Sequence, residues 1–372
     1  MQDFTGGGIN ALSAKPPHTV GDETIDDRIR ALVRDFGCEK SCDLIEEMIG
    51  TALKMGRDQI TTADLKLFNR SLKELRFAAK VFAPYRHRRK IVIFGSARTG
   101  PEEPESLLAE EYARRMRELD YMIITGGGDG IMGAAQKGAG RENSFGLNIR
   151  LPFEQKANEW IHGDPKLVNF NYFFTRKLNF MKETHAVVLF PGGFGTMDEG
   201  FEVLTLMQTG KARIIPVVFV DKPGGSYWKT WYAFLREHLL KLGLVSPEDF
   251  YLFKMVEGVE EAVEEVTRFY RVFHSYRWVG QKLVVRLQKA LEPEAIARLN
   301  EKFAYLRIGD PMEQCAALHE ERNEPELAEL PRLVFVPDRR NFGQLRLVID
   351  EINGTATEEI KNPEAPEPAA KG

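Results

Sequence analysis

The chain has 372 residues, 43% of them apolar and 28% charged, which gives room for one or two globular domains with a substantial core. The formal net charge of −4 gives no general reason to expect a nucleic-acid partner. No apolar run reaches the ~18 residues that a membrane span needs, and Met1 to Asp27 lack the basic start and apolar block of a secretory signal.

Cysteine usage points to a reducing environment. Cys38, Cys42 and Cys315 are too few for a disulfide framework. Cys38 and Cys42 are four residues apart, but no nearby histidine or cysteine completes a set of four zinc ligands. We therefore expect a cytoplasmic protein that uses no metal ion or other cofactor and does not contact a membrane.

The first part of the chain contains no recognisable chemistry. Residues 1–25 carry glycine and proline and few large apolar side chains, which is typical of a flexible tail. Residues 26–88 show apolar side chains at helical spacing and predict an N-terminal helical layer. A second helix start is predicted at Thr61-Thr62-Ala63-Asp64, and Pro84 ends that helix.

Strand and helix patterns alternate from 89 to 275. This alternation predicts an α/β domain with a Rossmann-like, doubly wound parallel sheet. The segment from Phe153 to Phe170 is polar and mixed, and is predicted only as a loop with some helix. The predicted strands are Ile91–Phe94, Tyr121–Thr125, Phe145–Leu151, Ala186–Phe190 and Ile214–Val220.

Residues 276–353 predict a small accessory subdomain of mixed α and β structure. Gln281 to Ala304 is predicted to be helical. Leu333–Val336 and Leu345–Ile349 are predicted to pair as a β-hairpin through a turn at 338–343. Residues 354–372 are rich in Thr, Glu, Pro and Ala and predict a disordered tail.

Two glycine loops follow predicted strands and open helices. They run from Gly126 to Gly133 and from Pro191 to Thr196. Such a loop offers bare N–H groups and the positive end of the helix dipole, which suits a phosphate. One loop is weak evidence because turns need glycine, but two at the carboxyl edge of a sheet predict a ligand site. Ser96 and Arg98 follow another strand end and are also expected to reach a phosphate.

Glu199 has two interpretations. Thr196-Met197-Asp198-Glu199 fits a capping box, in which Thr196 is the N-cap and the carboxylate of Glu199 returns to the N-cap amide. Alternatively, a carboxylate one turn beyond a phosphate loop faces the ligand, where it stabilises positive charge at a sugar carbon or orients a water. Glu202 lies three residues further on the same helix face and is expected to share that pocket.

Arg176 and Lys177 stand at the start of a predicted helix, where the dipole disfavours cations. Solvated surface charge is the ordinary explanation for such a pair. Their position before the strand of the second glycine loop favours an anionic ligand instead, because an arginine fork holds a phosphate or ribose hydroxyls bidentately.

Three other features have open interpretations. Gly128-x-Gly130-x-x-Gly133, with Glu154 further on, matches a dinucleotide fingerprint and makes an NAD-type dehydrogenase a rival, weakened because the loop follows the second strand of the domain. The basic run from Arg86 to Lys90 is read as a solvated edge rather than a nucleic-acid surface. His185 is read as a core or surface histidine rather than a catalytic one.

Together these motifs resemble the LOG family, the cytokinin riboside 5′-monophosphate phosphoribohydrolases, which are often labelled lysine decarboxylases. The family's pattern is a glycine-triplet loop with G-[IL]-M-G, then R-K, then P-G-G-x-G-T-x-x-E. Here these parts are GGGDGIMG, Arg176-Lys177 and PGGFGTMDE. The resemblance covers residues 90–273, so the chain looks like a longer member with extensions at both ends.

The resemblance implies hydrolysis of the N-glycosidic bond of AMP or N6-modified AMP, giving free base and ribose 5-phosphate, by a homodimer or higher homo-oligomer. It implies Glu199 and Arg176 as the catalytic pair. A lysine decarboxylase needs a Schiff-base lysine for pyridoxal phosphate, and no convincing setting for one is found. The residues expected at the substrate, from the resemblance and from the patterns above, are Ser96, Arg98, Gly127, Gly128, Asp129, Gly130, Lys177, Gly192, Gly193, Gly195, Thr196 and Glu202.

The expected roles follow from the chemistry of the bond. Glu199 stabilises charge at C1′ and orients the water, while Arg176 positions the substrate and keeps Glu199 ionised. Asp129 is a candidate acid for the leaving base. The alternative from another class is a nucleotide-binding sensor or carrier that keeps the loops without turnover.

Overall fold

A computed structural model of the chain describes residues 19–152, 156–338 and 342–354. Most of the two predicted tails, at 1–18 and 355–372, lies outside these residues. Contacts divide the chain into two compact units, with the division between Phe77 and Ala78. None of the helices in the described ranges is both long enough and apolar enough to cross a membrane.

The N-terminal unit is helical. Its helices are α1 (Glu23–Asp35), α2 (Cys42–Arg57) and α3 (Thr62–Phe82), the last of which continues into the second unit. The predicted start of α3 is correct, because the Thr61 hydroxyl accepts the Asp64 N–H at 3.2 Å and donates to the Asp64 carboxylate at 2.6 Å.

The second unit is built on a parallel sheet of seven strands within the described residues, in the order β4-β3-β2-β1-β5-β6-β7. Every neighbouring pair in it is parallel. This confirms the predicted α/β fold with a Rossmann-like, doubly wound sheet. The strands are β1 (Lys90–Phe94), β2 (Met122–Thr125), β3 (Ser144–Ile149), β4 (Leu167–Phe170), β5 (Ala186–Leu189), β6 (Val217–Asp221) and β7 (Lys254–Glu257).

Helices cover both faces of this sheet, which explains why its strands are almost entirely apolar. In β1, Val92 and Phe94 join one apolar core, while Ile91 and Ile93 join the other. The helices are α4 (Pro104–Glu118), α5 (Ile131–Ala139), α6 (Phe173–Glu183), α7 (Phe194–Gln208), α8 (Tyr227–Phe234), continued by a π-helical segment (Leu235–Leu240), and α9 (Val259–Phe269). Short 3-10 turns lie at Ala83–Tyr85, Arg141–Asn143, Pro247–Leu252, Ala304–Leu306, His319–Glu321 and Pro325–Leu327.

The strand order places the ligand crevice. The chain runs outward from β1 through β2 and β3 to β4, and then returns to pair β5 with the other side of β1. The direction of winding therefore reverses between β1 and β5. At such a point the connecting loops leave in opposite directions and open a crevice at the carboxyl ends of the strands.

Within the described residues, a second sheet of four antiparallel strands follows in the same compact unit, in the order β10-β11-β9-β8. Its strands are β8 (Phe273–Val279), β9 (Lys282–Leu287), β10 (Glu313–Cys315) and β11 (Arg332–Phe335). Two helices accompany it, α10 (Pro293–Lys302) and α11 (Phe342–Ile352).

Two predictions for this region are wrong. Residues 345–349 belong to α11 and do not form the second strand of a hairpin with β11. The buried side chains Leu345, Val348, Ile349 and Ile352 follow helical spacing, and the Arg346 guanidinium pairs with Asp350 one turn later at 2.9 Å. Residues 281–304 are not one helix, because β9 takes their apolar start and α10 begins only at Pro293.

Candidate active site

The loops that follow β1, β2 and β5 meet at the predicted crevice. The Ser96 N–H donates to the Pro191 carbonyl at 3.1 Å, in the loop after β5. The Ser96 carbonyl accepts the Ile131 N–H at 3.0 Å, at the start of the helix after β2. Ser96 therefore joins the two glycine loops through its main chain.

Two glycines make this close approach sterically feasible. Gly130 has φ +63°, and a Cβ there would lie 2.3 Å from the Ser96 carbonyl oxygen. A Cβ on Gly192 would lie 2.1 Å from the Thr196 Oγ1 and 2.9 Å from the Ser96 nitrogen. A side chain at either position would therefore displace main-chain atoms of Ser96 or the hydroxyl of Thr196.

Two other glycines have a different environment. A Cβ on Gly193 or Gly195 would meet no atom within 4 Å, and both residues are exposed. Gly193 is the N-cap of α7, and its carbonyl accepts the amides of Thr196 and Met197 at 3.1 Å. This accessible main chain at a helix amino terminus has the character of an anion site.

The first glycine loop is held by Asn158, a residue that the sequence did not single out. The Asn158 N–H donates to the Gly127 carbonyl at 2.9 Å, and its Nδ2 donates to the Gly128 carbonyl at 2.8 Å and to Gln136 Oε1 at 2.6 Å. Gly127 has φ +76°, a conformation that this bracing keeps in place. Asn158 lies in the long segment predicted only as a loop, where no spacing marks a buried amide.

Tyr227 also lies outside the sequence motifs. Its hydroxyl donates to the Gly192 carbonyl in the second glycine loop. Each loop is thus fixed by one side chain from a distant part of the chain, which favours a preformed site.

Arg176 spans the space beside the first loop. Its Nε donates to the Leu147 carbonyl in β3 at 2.8 Å, and its Nη2 lies 2.5 Å from where a Cβ on Gly126 would stand. A side chain at 126 would displace the guanidinium of Arg176 or the sulfur of Met132. Burial lowers the pKa of Arg176, and the charge of Glu199 opposes that shift.

Lys177 is surrounded by carboxylates. Its Nζ lies 2.9 Å from Asp198 Oδ2, 3.2 Å from Glu199 Oε2 and 2.5 Å from Glu202 Oε2. Burial lowers its pKa, but hydrogen bonds with Glu202 and Asp198 outweigh burial and raise the pKa to about 12. The structure therefore brings Lys177 and Glu202 together as an ion pair beside Glu199.

Glu199 is buried in the second turn of α7. Burial raises its pKa, while the charges of Lys177 and Arg176 act in the opposite direction. The capping-box interpretation is wrong, because α7 begins at Phe194 with Gly193 as its N-cap and no side chain caps it. Thr196 lies inside the first turn, so the Glu199 carboxylate is available to the neighbouring cations.

The remaining predicted residues lie on the surface of the loops. Arg98 and Asp129 are exposed, and the Arg98 N–H donates to the Ser96 hydroxyl at 3.0 Å. Glu154, from the rival dinucleotide fingerprint, lies outside the described residues, and the loop of that fingerprint follows β2. Within the described parts of the chain, no cluster of His, Cys, Asp and Glu is arranged to hold a metal ion.

Comparisons with known proteins agree with these motifs. A family model described as "Possible lysine decarboxylase" matches residues 132–266, which include Arg176, Lys177 and the second glycine loop. A probable cytokinin riboside 5′-monophosphate phosphoribohydrolase of Oryza sativa subsp. japonica, LOG4, is 30% identical over 127 residues, covering 33% of this chain and 54% of the rice protein. The Arabidopsis thaliana enzyme LOG5 is 21% identical over 213 residues, covering 54% of this chain and 89% of that protein.

Over part of its length the chain is similar to proteins of the LOG family. The match spans only about half the length of the rice LOG protein. Among solved structures, a molybdenum cofactor carrier protein of Chlamydomonas reinhardtii is 18% identical with a TM-score of 0.36, covering 49% of this chain and 98% of that one. A likeness of that degree is too slight to bear on fold or function.

Proposed function

We propose that the protein hydrolyses the N-glycosidic bond of a purine nucleoside 5′-monophosphate, AMP or an N6-modified AMP, to free base and ribose 5-phosphate. One observation carries this proposal. Glu199 is a buried carboxylate with a raised pKa, held beside Lys177 and Arg176 one turn beyond a glycine loop. The names of the LOG relatives supply the reaction class.

The proposed binding mode starts from the phosphate. The exposed amides around Gly193 and Gly195 receive the 5′-phosphate at the amino end of α7. The loop from Gly127 to Gly130, with Ser96 and Arg98, lines the other side. The ribose then lies between the two loops, with C1′ toward Glu199.

The reaction follows from charge placement. As the bond from C1′ to the base lengthens, positive charge develops on the sugar, and ionised Glu199 stabilises it. Glu199 also orients the water, whose oxygen bonds to C1′ as it releases one proton. The departing base takes up one proton in turn, with Asp129 as the candidate donor. Water is consumed once, so base and ribose 5-phosphate form in equal amounts.

Arg176 and Lys177 act on the carboxylate in this scheme. Glu199 must be ionised to stabilise a cation, and its burial favours the neutral acid. The two cations offset that effect. Arg176 also lies beside Gly126, so its charge acts on Glu199 from the side of the first glycine loop.

The test is release of base from a panel of nucleotides, followed by mass spectrometry. Parent protein is expected to release adenine from AMP, and Glu199→Gln is expected to lose this activity while retaining its fold by circular dichroism. Glu142→Gln, at an exposed position in a distant turn, is the matched control and keeps full activity. Equal rates for parent and Glu199→Gln would refute the proposed role.

The second candidate is nucleotide binding without turnover. It is favoured by the 3.2 Å contact of Lys177 Nζ with Glu199 Oε2, because a carboxylate neutralised in this way is less able to assist the reaction. This candidate predicts saturable binding of AMP by calorimetry and no free adenine over hours of incubation.

We also propose a homodimer that uses the surface around α6 and α7. Phe194 is 96% exposed, and Phe173 and Phe174 are each more than half exposed, which is unusual for side chains of this size. Light scattering is expected to give the mass of a dimer for the parent and a smaller mass for Phe194→Ser. A monomeric parent would refute this assembly.

A further inference from the structure

Basic side chains gather at the amino edge of the seven-stranded sheet, opposite the edge that carries the glycine loops. Arg89 immediately precedes β1, His185 immediately precedes β5, and Arg213 lies shortly before β6. We call these three residues the basic cluster. The strands have four or five residues at about 3.3 Å each, so the cluster lies roughly 15 Å from the candidate active site.

Tyr270, at the end of α9, lies at the centre of the cluster. The Arg89 Cζ stands 4.1 Å from the centroid of the Tyr270 ring, and the Tyr270 hydroxyl donates to the His185 carbonyl at 2.6 Å. The Arg213 Nη2 donates to the carbonyl of Thr184, the preceding residue, at 3.3 Å. Arg89 therefore stacks on the Tyr270 ring, the Tyr270 hydroxyl fixes the main chain at His185, and Arg213 is anchored one residue before His185.

The arginines of the cluster lack a counter-ion. Across residues 19–152, 156–338 and 342–354, neither Arg89 nor Arg213 forms an ion pair with a carboxylate. Both charges lower the pKa of His185, after the larger effect of burial. Glu183, whose charge reaches the neighbouring Lys90, is paired with Lys182.

The three fully buried arginines in the described part of the chain are compensated. Arg286 and Arg332 share Glu321 at 2.7 and 2.9 Å, and Arg346 pairs with Glu265 and with Asp350. Two partly buried guanidinium groups that share neighbours without a carboxylate repel each other. Such an arrangement is stable when an anion from solution supplies the missing charge.

His185 supplies a third donor. Its Nδ1 accepts the Lys90 N–H at 3.3 Å, so the neutral ring carries its hydrogen on Nε2. Among the described residues that Nε2–H donates to no atom, and it is not one of the fully buried polar atoms, so the half-buried ring leaves it accessible. Lys90 itself is occupied, because its Nζ donates to the carbonyls of Tyr85 at 2.7 Å and Arg88 at 3.0 Å.

We propose that Arg89, Arg213 and the Nε2–H of His185 form a binding site for a phosphate group, separate from the candidate active site. A phosphate offers several acceptor oxygens and a double charge, which two guanidinium forks and an imidazole N–H match. The group comes either as inorganic phosphate or as part of a small phosphate ester. The site does not depend on the proposed glycosidase activity.

The test uses the full chain labelled with ¹⁵N-histidine, with the His185 resonance assigned by comparison with His185→Gln. Inorganic phosphate is titrated in one arm and glycerol 3-phosphate in the other, with sodium chloride at matched ionic strength as the reference. Each arm reports whether that source of the phosphate group binds. The His185 signal is local, so binding at the glycine loops does not interfere.

We expect a saturable shift of the His185 resonance with at least one of the two phosphate compounds. Arg89→Gln and Arg213→Gln are expected to weaken this binding at least about tenfold, because each removes a charge-assisted hydrogen bond. Arg70→Gln, an exposed charge in the N-terminal unit, is the matched control and leaves the affinity unchanged. Arg213→Lys, which keeps the charge and loses the fork, replaces Arg213→Gln if that variant does not fold, and is expected to weaken binding several-fold.

Several outcomes would overturn the site. They are a shift that sodium chloride reproduces, no shift with either compound, and variants that bind phosphate as tightly as the parent. A third arm titrates a short oligonucleotide. A shift of the His185 resonance in that arm alone would also overturn the site, because the surface would then serve a nucleic acid.

Discussion

Replacing Lys177 with methionine isolates the electrostatics of the candidate active site. The Lys177 side chain is 14% exposed and that of Glu199 is 11% exposed, so their contact at 3.2 Å is largely shielded from water. Breaking a buried pair leaves an uncompensated charge, which typically costs several kcal/mol, whereas a surface pair is worth about 0–1 kcal/mol. Asp198 and Glu202 are more exposed and will be hydrated, and Arg176 still opposes the charge of Glu199.

We therefore expect Lys177→Met to lower the free energy of unfolding by about 2 kcal/mol at pH 8. The cost must depend on pH. Glu199 has a raised pKa in the folded state, so the folded chain binds its proton more tightly than the unfolded chain, and stability falls as the pH rises past the ordinary carboxyl value. Loss of Lys177 raises that pKa further and enlarges the fall. Below the ordinary pKa the carboxyl group is protonated in both states, and this part of the cost disappears.

Urea denaturation at pH 4 and at pH 8 measures the free energy of unfolding of Lys177→Met and of the parent at each pH. Lys137→Met removes a lysine whose ion pair with Glu110 is exposed, and is expected to give no resolvable change at either pH. A cost for Lys177→Met that is as small as that of the control, or that is the same at both pH values, would refute the reasoning.

Three further predictions follow from the same contacts. Gly163→Ala, at φ +74° with no atom within 4 Å of its Cβ, should lower the free energy of unfolding by about 1 kcal/mol. Gly130→Ala should lower it clearly more, because its Cβ would meet the Ser96 carbonyl. Equal thermal midpoints for the two variants would argue against the close loop contact. Asn158→Ala should weaken AMP binding several-fold in calorimetry, since a loop carbonyl loses its donor, and an unchanged affinity would contradict the bracing role. The pKa of His185 is lowered by burial and neighbouring cations, so stability should fall as the pH drops below about 6.5, where only the unfolded chain gains that proton, and His185→Gln should reduce this slope in urea titrations.

Local patterns were sufficient for the central strands. In β1 and β5, every residue is buried between two layers of helices, so a short apolar run was a direct signal. The edge strand β4 was missed because its state comes from pairing with β3, through partners such as Leu147 and Val168 that are far apart in sequence. Its mixed composition carries no strand pattern.

The incorrect prediction of a β-hairpin near the C-terminus has a different cause. Residues 345–349 are apolar enough for a strand, but the buried set continues to Ile352 at helical spacing. The Arg346 and Asp350 pair, four residues apart, was the signal in the sequence that favoured a helix. The apolar pattern that extends to Ile352 therefore determines a helix, although the run from 345 to 349 alone fits a strand.

At the site, glycine spacing located both loops but not the side chains that hold them. Asn158 and Tyr227 reach the loops from 30 and 35 residues away in sequence, and such contacts depend on the fold. The ion pairs of Lys177 could not be predicted from the sequence either, because they require α6 and α7 to lie side by side.

The most direct test of the central claim is a crystal structure of Glu199→Gln with AMP bound. The account predicts the phosphate on the amides of Gly193 to Thr196, and the side chain at position 199 about 3–3.5 Å from C1′. A phosphate bound away from both glycine loops, or a C1′ out of reach of position 199, would contradict it.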